Sequence, residues 1–194
     1  TETLGASIER DAWVRSDVGL VGPQSIWQHE YVHTRQRFET ESDMRWFTEA
    51  SAEYYGWLFT LRQGDHAFGT FRHRVARSRY AGATLSDPAT WPSRQVPYRK
   101  GSHVLAALDL RIRNATGGER SLDDVFRRVN GRSDPVSYGE FRGMVADVSS
   151  PAVAEWLDPY VRTRASPSLS TDPHDFARDG PFDPDGDGLA NPDE

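Results

Sequence analysis

The sequence predicts a mainly α domain. Seven segments, near 24–38, 44–62, 65–79, 99–114, 121–130, 138–148 and 151–163, read as helices from their apolar spacing and their boundaries. Three of the later ones open on start signals: Ser121 with Asp123 and Asp124 behind it, Ser137 with Glu140, and Ser150-Pro151. Only one short stretch, Asp11 to Arg15, reads as a strand.

Taken in order, residues 1–23 are polar, and Gly22-Pro23 punctuates the chain before the first helix. The second helix places Phe47, Ala50, Tyr54 and Leu58 on one apolar face. Residues 80–97 form a loop of small residues and prolines between the third and fourth helices. Acidic residues in the first turn of the fifth helix complement its dipole. Ser137 and Glu140 make a capping box, and Pro151 takes the first helical position, where its missing N–H costs nothing. After Arg164 the chain becomes rich in Ser, Pro and Asp. The expected organisation is one folded domain over 1–164, a linker or extended wrap over 165–182, and an acidic tail over 183–194.

The first helix carries the most informative stretch, Trp27-Gln28-His29-Glu30-Tyr31-Val32-His33, which contains His-Glu-x-x-His. Residues four apart share a helix face, so His29 and His33 can hold one metal ion together. Glu30 lies between them, where it can take a proton from a water at that metal. An isolated match also arises by chance on a surface helix whose histidines stack, so the surrounding residues decide. Zinc in hydrolytic sites takes three protein ligands and leaves one position open. The next helix supplies Glu49 as the third ligand, beside apolar Trp46, Phe47 and Tyr54. Glu53, one turn further on, is placed to accept the other ring N–H of a ligating histidine and so fix its tautomer. His66, His73 and His174 read as exposed, and His103 as a packing residue.

His-Glu-x-x-His followed by Trp-Phe-x-Glu resembles the gluzincin metallopeptidases. Val96-Pro97-Tyr98-Arg99-Lys100-Gly101 is similar to the Tyr-x-Lys-Gly motif of the leukotriene A4 hydrolase and aminopeptidase N group and of the glycyl aminopeptidase family. Stretches at 106–113, 116–118, 121–125 and 156–161 are similar to the C-terminal half of the glycyl aminopeptidase family, so the resemblance spans about residues 20–167. It implies a thermolysin-like gluzincin helical domain, zinc as cofactor, peptide or protein as substrate, and Tyr98 as the hydroxyl that stabilises the oxyanion. Lys100 is the only lysine in the chain. Fifteen residues separate His33 from Glu49, fewer than in these families, and Ala50 stands where they have Gly. The large N-terminal β-domain and the loop that binds a substrate amine have no counterpart, which opens an endopeptidase alternative to an aminopeptidase.

The tail over 183–194 fits Asp-x-Asp-x-Asp-Gly-x5-Glu, a calcium-loop pattern with Asp183, Asp185, Asp187 and Glu194 as candidate ligands. Pro184 and Pro192 argue against flanking helices, and the pattern resembles a thrombospondin type 3 calcium repeat more than an EF-hand. The plain alternative is a disordered acidic segment. Calcium as a second cofactor would favour an extracellular or cell-surface setting.

Composition narrows the remaining classes. With 37% hydrophobic and 27% charged residues, the chain fits a globular domain with a wetted surface. It has no cysteine, so disulfides are excluded. No apolar run is long enough to span a membrane, and no signal peptide is evident. Net charge is −6, but residues 172–194 alone carry −7, which leaves the body near neutral. Without a basic stripe interleaved with aromatics, nucleic-acid binding is not expected. The functional expectation is peptide-bond hydrolysis, aminopeptidase-like by resemblance. The alternatives are an endopeptidase of the same fold, or a non-catalytic zinc- and calcium-binding surface module.

Overall fold

The computed structural model describes residues 5–8, 11–14, 26–76, 80 and 82–176. The candidate calcium ligands Asp183, Asp185, Asp187 and Glu194 lie outside the described residues. The fold is mainly helical, with seven α-helices among the described residues. They are α1 (Ile26–Arg35), α2 (Trp46–Arg62), α3 (Phe68–Val75), α4 (Ser102–Ala115), α5 (Leu122–Asn130), α6 (Tyr138–Val148) and α7 (Pro151–Arg162). The predicted strand is the second of a two-stranded hairpin. Strands β1 (Gly5–Ile8) and β2 (Asp11–Val14) pair antiparallel with Gly5 opposite Val14, and the hairpin lies against α1.

The core is built around α2 and α4. The sequence predicts one apolar face on α2, but almost the whole helix is buried. Its far side is covered by α1 and by the segment around Tyr98, and Trp46, Tyr54, Tyr55 and Leu58 are all essentially inaccessible. Phe47 and Tyr55 meet Phe126 of α5, and Phe47 also meets Phe141 of α6 at 5.0 Å between ring centroids. Edge-on and tilted aromatic contacts of this kind add to the burial itself.

Buried polar groups tie these helices together. Asp109 on α4 accepts from the Tyr54 hydroxyl of α2 at 2.7 Å and from the Leu122 N–H at the start of α5 at 2.9 Å. It also pairs with Arg113 at 3.1 Å. One carboxylate thus joins three helices and caps one of them. Asp124 completes that cap by accepting from the Ser121 N–H at 2.9 Å. Ser137 and Glu140 form the expected capping box on α6, and Asp43 adds an acceptor for the Tyr138 N–H at 3.1 Å.

The connection between α1 and α2 is short and held firmly. Thr40 bridges in parallel to Val136, with Glu41 N–H to Val136 O at 3.0 Å and Val136 N–H to Glu39 O at 2.9 Å. Asn130 accepts from the Arg37 N–H and donates to Arg35 O, both at 3.0 Å, which closes the end of α1 against the end of α5.

Downstream of α7, residues 165–176 run as an extended wrap. Phe176 is fully buried between Phe68 and Phe71 of α3, and the Ser170 carbonyl accepts from Arg72. His103 is a packing residue as expected, with its ring nitrogens 2.9 Å from Val75 O and 2.6 Å from Pro167 O. His73 is exposed, whereas His66 is half-buried against Trp57. His174 lies in the exposed part of the wrap. No helix among the described residues is long and apolar enough to cross a membrane.

Because Asp109 serves three helices, Asp109→Ala strands the Tyr54 hydroxyl, the Leu122 N–H and the Arg113 charge. The unfolding free energy from urea denaturation is expected to fall by about 3–5 kcal/mol, as for other buried charges that lose their partner. A loss below about 1 kcal/mol, the size of a single net hydrogen bond, would show that Asp109 is not the node described.

Candidate metal centre

Three side chains converge where α1 crosses α2. His29 Nε2 lies 3.0 Å from His33 Nε2, and each is 3.3 Å from Glu49 Oε2. A tetrahedral ion with bonds of about 2.0–2.1 Å separates its ligand atoms by about 3.3 Å. The observed triangle has nearly those dimensions. His29 is buried, and His33 and Glu49 are half-buried.

The donor set asks for a cation. Gln36 donates its amide N–H groups to Thr48 O at 2.8 Å and Ser51 Oγ at 3.0 Å, which turns its Oε1 toward His33. His33 Nδ1–H therefore donates to Gln36 Oε1, at 2.8 Å. His29 Nδ1 faces the Glu53 carboxylate at 3.5 Å, which holds that ring in the same tautomer. In neutral rings so oriented, both Nε2 atoms present lone pairs to each other and to Glu49 Oε2, a buried atom with no hydrogen-bond partner. Three acceptors about 3 Å apart repel unless a positive charge lies between them. A proton on one ring or a metal ion can fill that role, and the group could hold a metal ion.

The electrostatics express the proton alternative. Burial opposes a charge on His29, but the carboxylates of Glu49 and Glu53 outweigh it and lift the ring to about 9. Burial likewise opposes charge on Glu49, but His29, His33 and the Tyr98 hydroxyl hold its carboxyl well below the usual carboxylate range. Glu30 is buried beside the triad, and desolvation raises its carboxyl above 4.5 despite the two imidazoles.

Tyr98 comes to the same place from the other side. Its ring stacks on His29 at 5.5 Å and 9°, and its hydroxyl is within hydrogen-bonding reach of Glu49. Burial and the surrounding carboxylates push that phenol far above its ordinary value, so it remains a proton donor throughout the neutral range. Tyr98 belongs to a π turn, Pro97–Gly101, that runs directly into α4. Such turns recur at functional sites.

Two neighbours fix this turn. The buried Lys100 ammonium donates to Ala83 O at 2.7 Å and Thr163 O at 2.9 Å, joining the turn to the 82–97 loop and the end of α7. Burial lowers Lys100 to about 8, which leaves it charged at neutral pH. At Gly101 an added Cβ would lie 2.6 Å from Ala50 Cβ and 3.3 Å from a Trp46 ring carbon, so only glycine lets the turn approach α2.

All residues predicted for the zinc site and its chemistry therefore meet: His29, His33, Glu49, Glu30, Glu53 and Tyr98. Glu53 has three donors around it, His29, Trp57 Nε1 at 3.0 Å and Arg99 at 3.5 Å. Sequence reasoning missed Gln36, Trp57 and Arg99. Gln36 stands three positions after His33, a helical spacing that would have flagged it as the partner of the second histidine. The contact from Arg99 depends on the π turn and has no sequence signature. Compared with protein-family models and with curated proteins, the chain matches none.

Because metal and proton compete for His29, metal uptake at pH 7 is expected to expel about one proton, and affinity to fall as pH falls. Calorimetry in two buffers of different ionisation enthalpy measures that release, and uptake without it would contradict the shared site. Gln36→Ala is expected to weaken metal affinity about 10–100-fold by releasing the His33 ring.

Proposed function

We propose that the chain is a zinc-dependent peptidase with a thermolysin-like, gluzincin-type helical site. The observation that carries this reading is the triangle of His29, His33 and Glu49 with Glu30 and Tyr98 at its edge. Metal storage or a structural metal would need neither of the last two. When bound, zinc supplies an acidified water and a Lewis acid for the scissile carbonyl.

The chain's own residues then have distinct tasks. Glu30, whose desolvation makes it a stronger base than a surface carboxylate, accepts the proton of the attacking water and delivers it to the leaving amine. Tyr98 donates its hydroxyl to the developing oxyanion, where a single such donor is typically worth about 3 kcal/mol. Glu53 and Gln36 hold the two imidazoles in the tautomer that leaves Nε2 free.

Aminopeptidase action requires a carboxylate or backbone anchor for the substrate α-amine, and Glu53 is the nearest candidate. Its carboxylate already faces His29, Trp57 and Arg99, so cleavage away from the substrate's N-terminus is the favoured mode. The calcium tail supports an extracellular or cell-surface setting through its sequence pattern only.

The test is mass-spectrometric mapping of a mixed peptide library exposed to the zinc-loaded protein. Cuts away from the N-terminus are expected. Glu30→Gln should keep stoichiometric zinc and lose turnover, and Tyr98→Phe should keep zinc and lower kcat by roughly 100-fold or more. Turnover that survives Glu30→Gln would end the proposed mechanism.

A further inference from the structure

The metal centre opens into a cleft of about 930 Å³ that passes along the start of α2 and the 82–97 loop. Thr48, Glu49 and Tyr98 form its inner end, Trp91 lines one wall, and Arg45 and Arg94 line it as well. Its size suits a peptide segment. The wall is preformed. Trp91 Nε1–H donates to Thr84 O at 2.9 Å, the Thr90 hydroxyl joins the same turn at both Thr84 N and Thr84 O, and Lys100 and the Ser86 N–H anchor the loop to the end of α7.

The charge of this cleft is one-sided. Among the described residues Glu49 is the only carboxylate that lines it, and it is committed to the metal triangle. Arg45 and Arg94 are both exposed, and neither has an ion-pair or ring partner among the described residues. Several arginines elsewhere are occupied: Arg99, Arg113, Arg132 and Arg142 pair with acids, and Arg74 and Arg111 lie over tryptophan rings. A cleft with two unspent guanidinium groups and an apolar indole wall repels a substrate amine and attracts a carboxylate, which the planar guanidinium fork matches in shape.

We propose that this cleft selects peptides that carry a carboxylate close to the scissile bond, held by Arg45 and Arg94 with the neighbouring side chain against Trp91. This inference rests on the peptidase reading above. The carboxylate is either an Asp or Glu side chain or the substrate's own C-terminus, and both present the same group to the two arginines.

The experiment compares peptides that differ only by Glu against Gln at each position, each made with a free and an amidated C-terminus. Cleavage by the zinc-loaded protein is followed by mass spectrometry, and binding to the zinc-loaded Glu30→Gln protein by calorimetry. The Glu or free-acid member is expected to exceed its uncharged partner by at least about tenfold in kcat/KM and in affinity, as for charge-assisted pairs of this kind. Arg45→Gln with Arg94→Gln should bring that ratio close to one, and Arg45→Lys with Arg94→Lys should keep part of it.

A preference that survives amidation identifies an acidic side chain, and one abolished by amidation identifies the C-terminal carboxylate. Cleavage with a ratio near one overturns the carboxylate site and leaves the peptidase standing. Absence of any cleavage ends the peptidase reading, and the calorimetric ratio then decides the cleft's preference by itself.

Discussion

Two imidazole lone pairs and a carboxylate oxygen held about 3 Å apart form an arrangement that a folded chain avoids unless a positive charge belongs there. Here the avoidance is overridden from outside. Gln36 and Glu53 occupy the far nitrogens of His33 and His29 and aim the remaining lone pairs at Glu49. Each outer partner is itself held, Gln36 by Thr48 O and Ser51, and Glu53 by Trp57 and Arg99. The ligating side chains are therefore held by a ring of outer partners, most of them from α2 and the π turn.

Much of the surrounding fold serves to bring those side chains together. The parallel bridge between Thr40 and Val136 and the clasp of Asn130 on α1 let a short connection swing α2 across the motif helix. Burial of nearly all of α2 fixes its rotation, so Glu49 cannot turn away without exposing Trp46 or Tyr54. Gly101 permits the π turn to touch α2 at Ala50, and Lys100 pins the same turn to the loop that forms the cleft wall. Tyr98 and the cleft therefore share one mechanical support.

Much of this was legible in the residues. Helical periodicity and the caps at Ser137 and Ser150 located all seven helices to within a few residues, because burial and terminal hydrogen bonding act locally. His29, His33 and Glu49 could be read because their spacing on two successive helices has a geometric meaning for a metal. Other features were not legible. The first hairpin strand lacked a clear alternating pattern, and the burial of α2 on all sides follows from long-range packing. Asp109 looked like one more acidic residue on a helix until Tyr54 and Leu122 were brought beside it. That Arg45 and Arg94 have no ion-pair partner among the described residues could not be inferred either, since it depends on where distant carboxylates are placed.

In the proposed site His29, His33 and Glu49 bind one zinc ion with a position left open. X-ray absorption spectroscopy at the zinc edge of the loaded protein tests this most directly. A four-coordinate ion is expected, with two imidazole nitrogens, one carboxylate oxygen and one solvent oxygen, all at about 2.0–2.1 Å. A six-coordinate shell of oxygens without imidazole scattering would contradict it, and so would an unchanged spectrum in the His33→Ala and Glu49→Ala proteins.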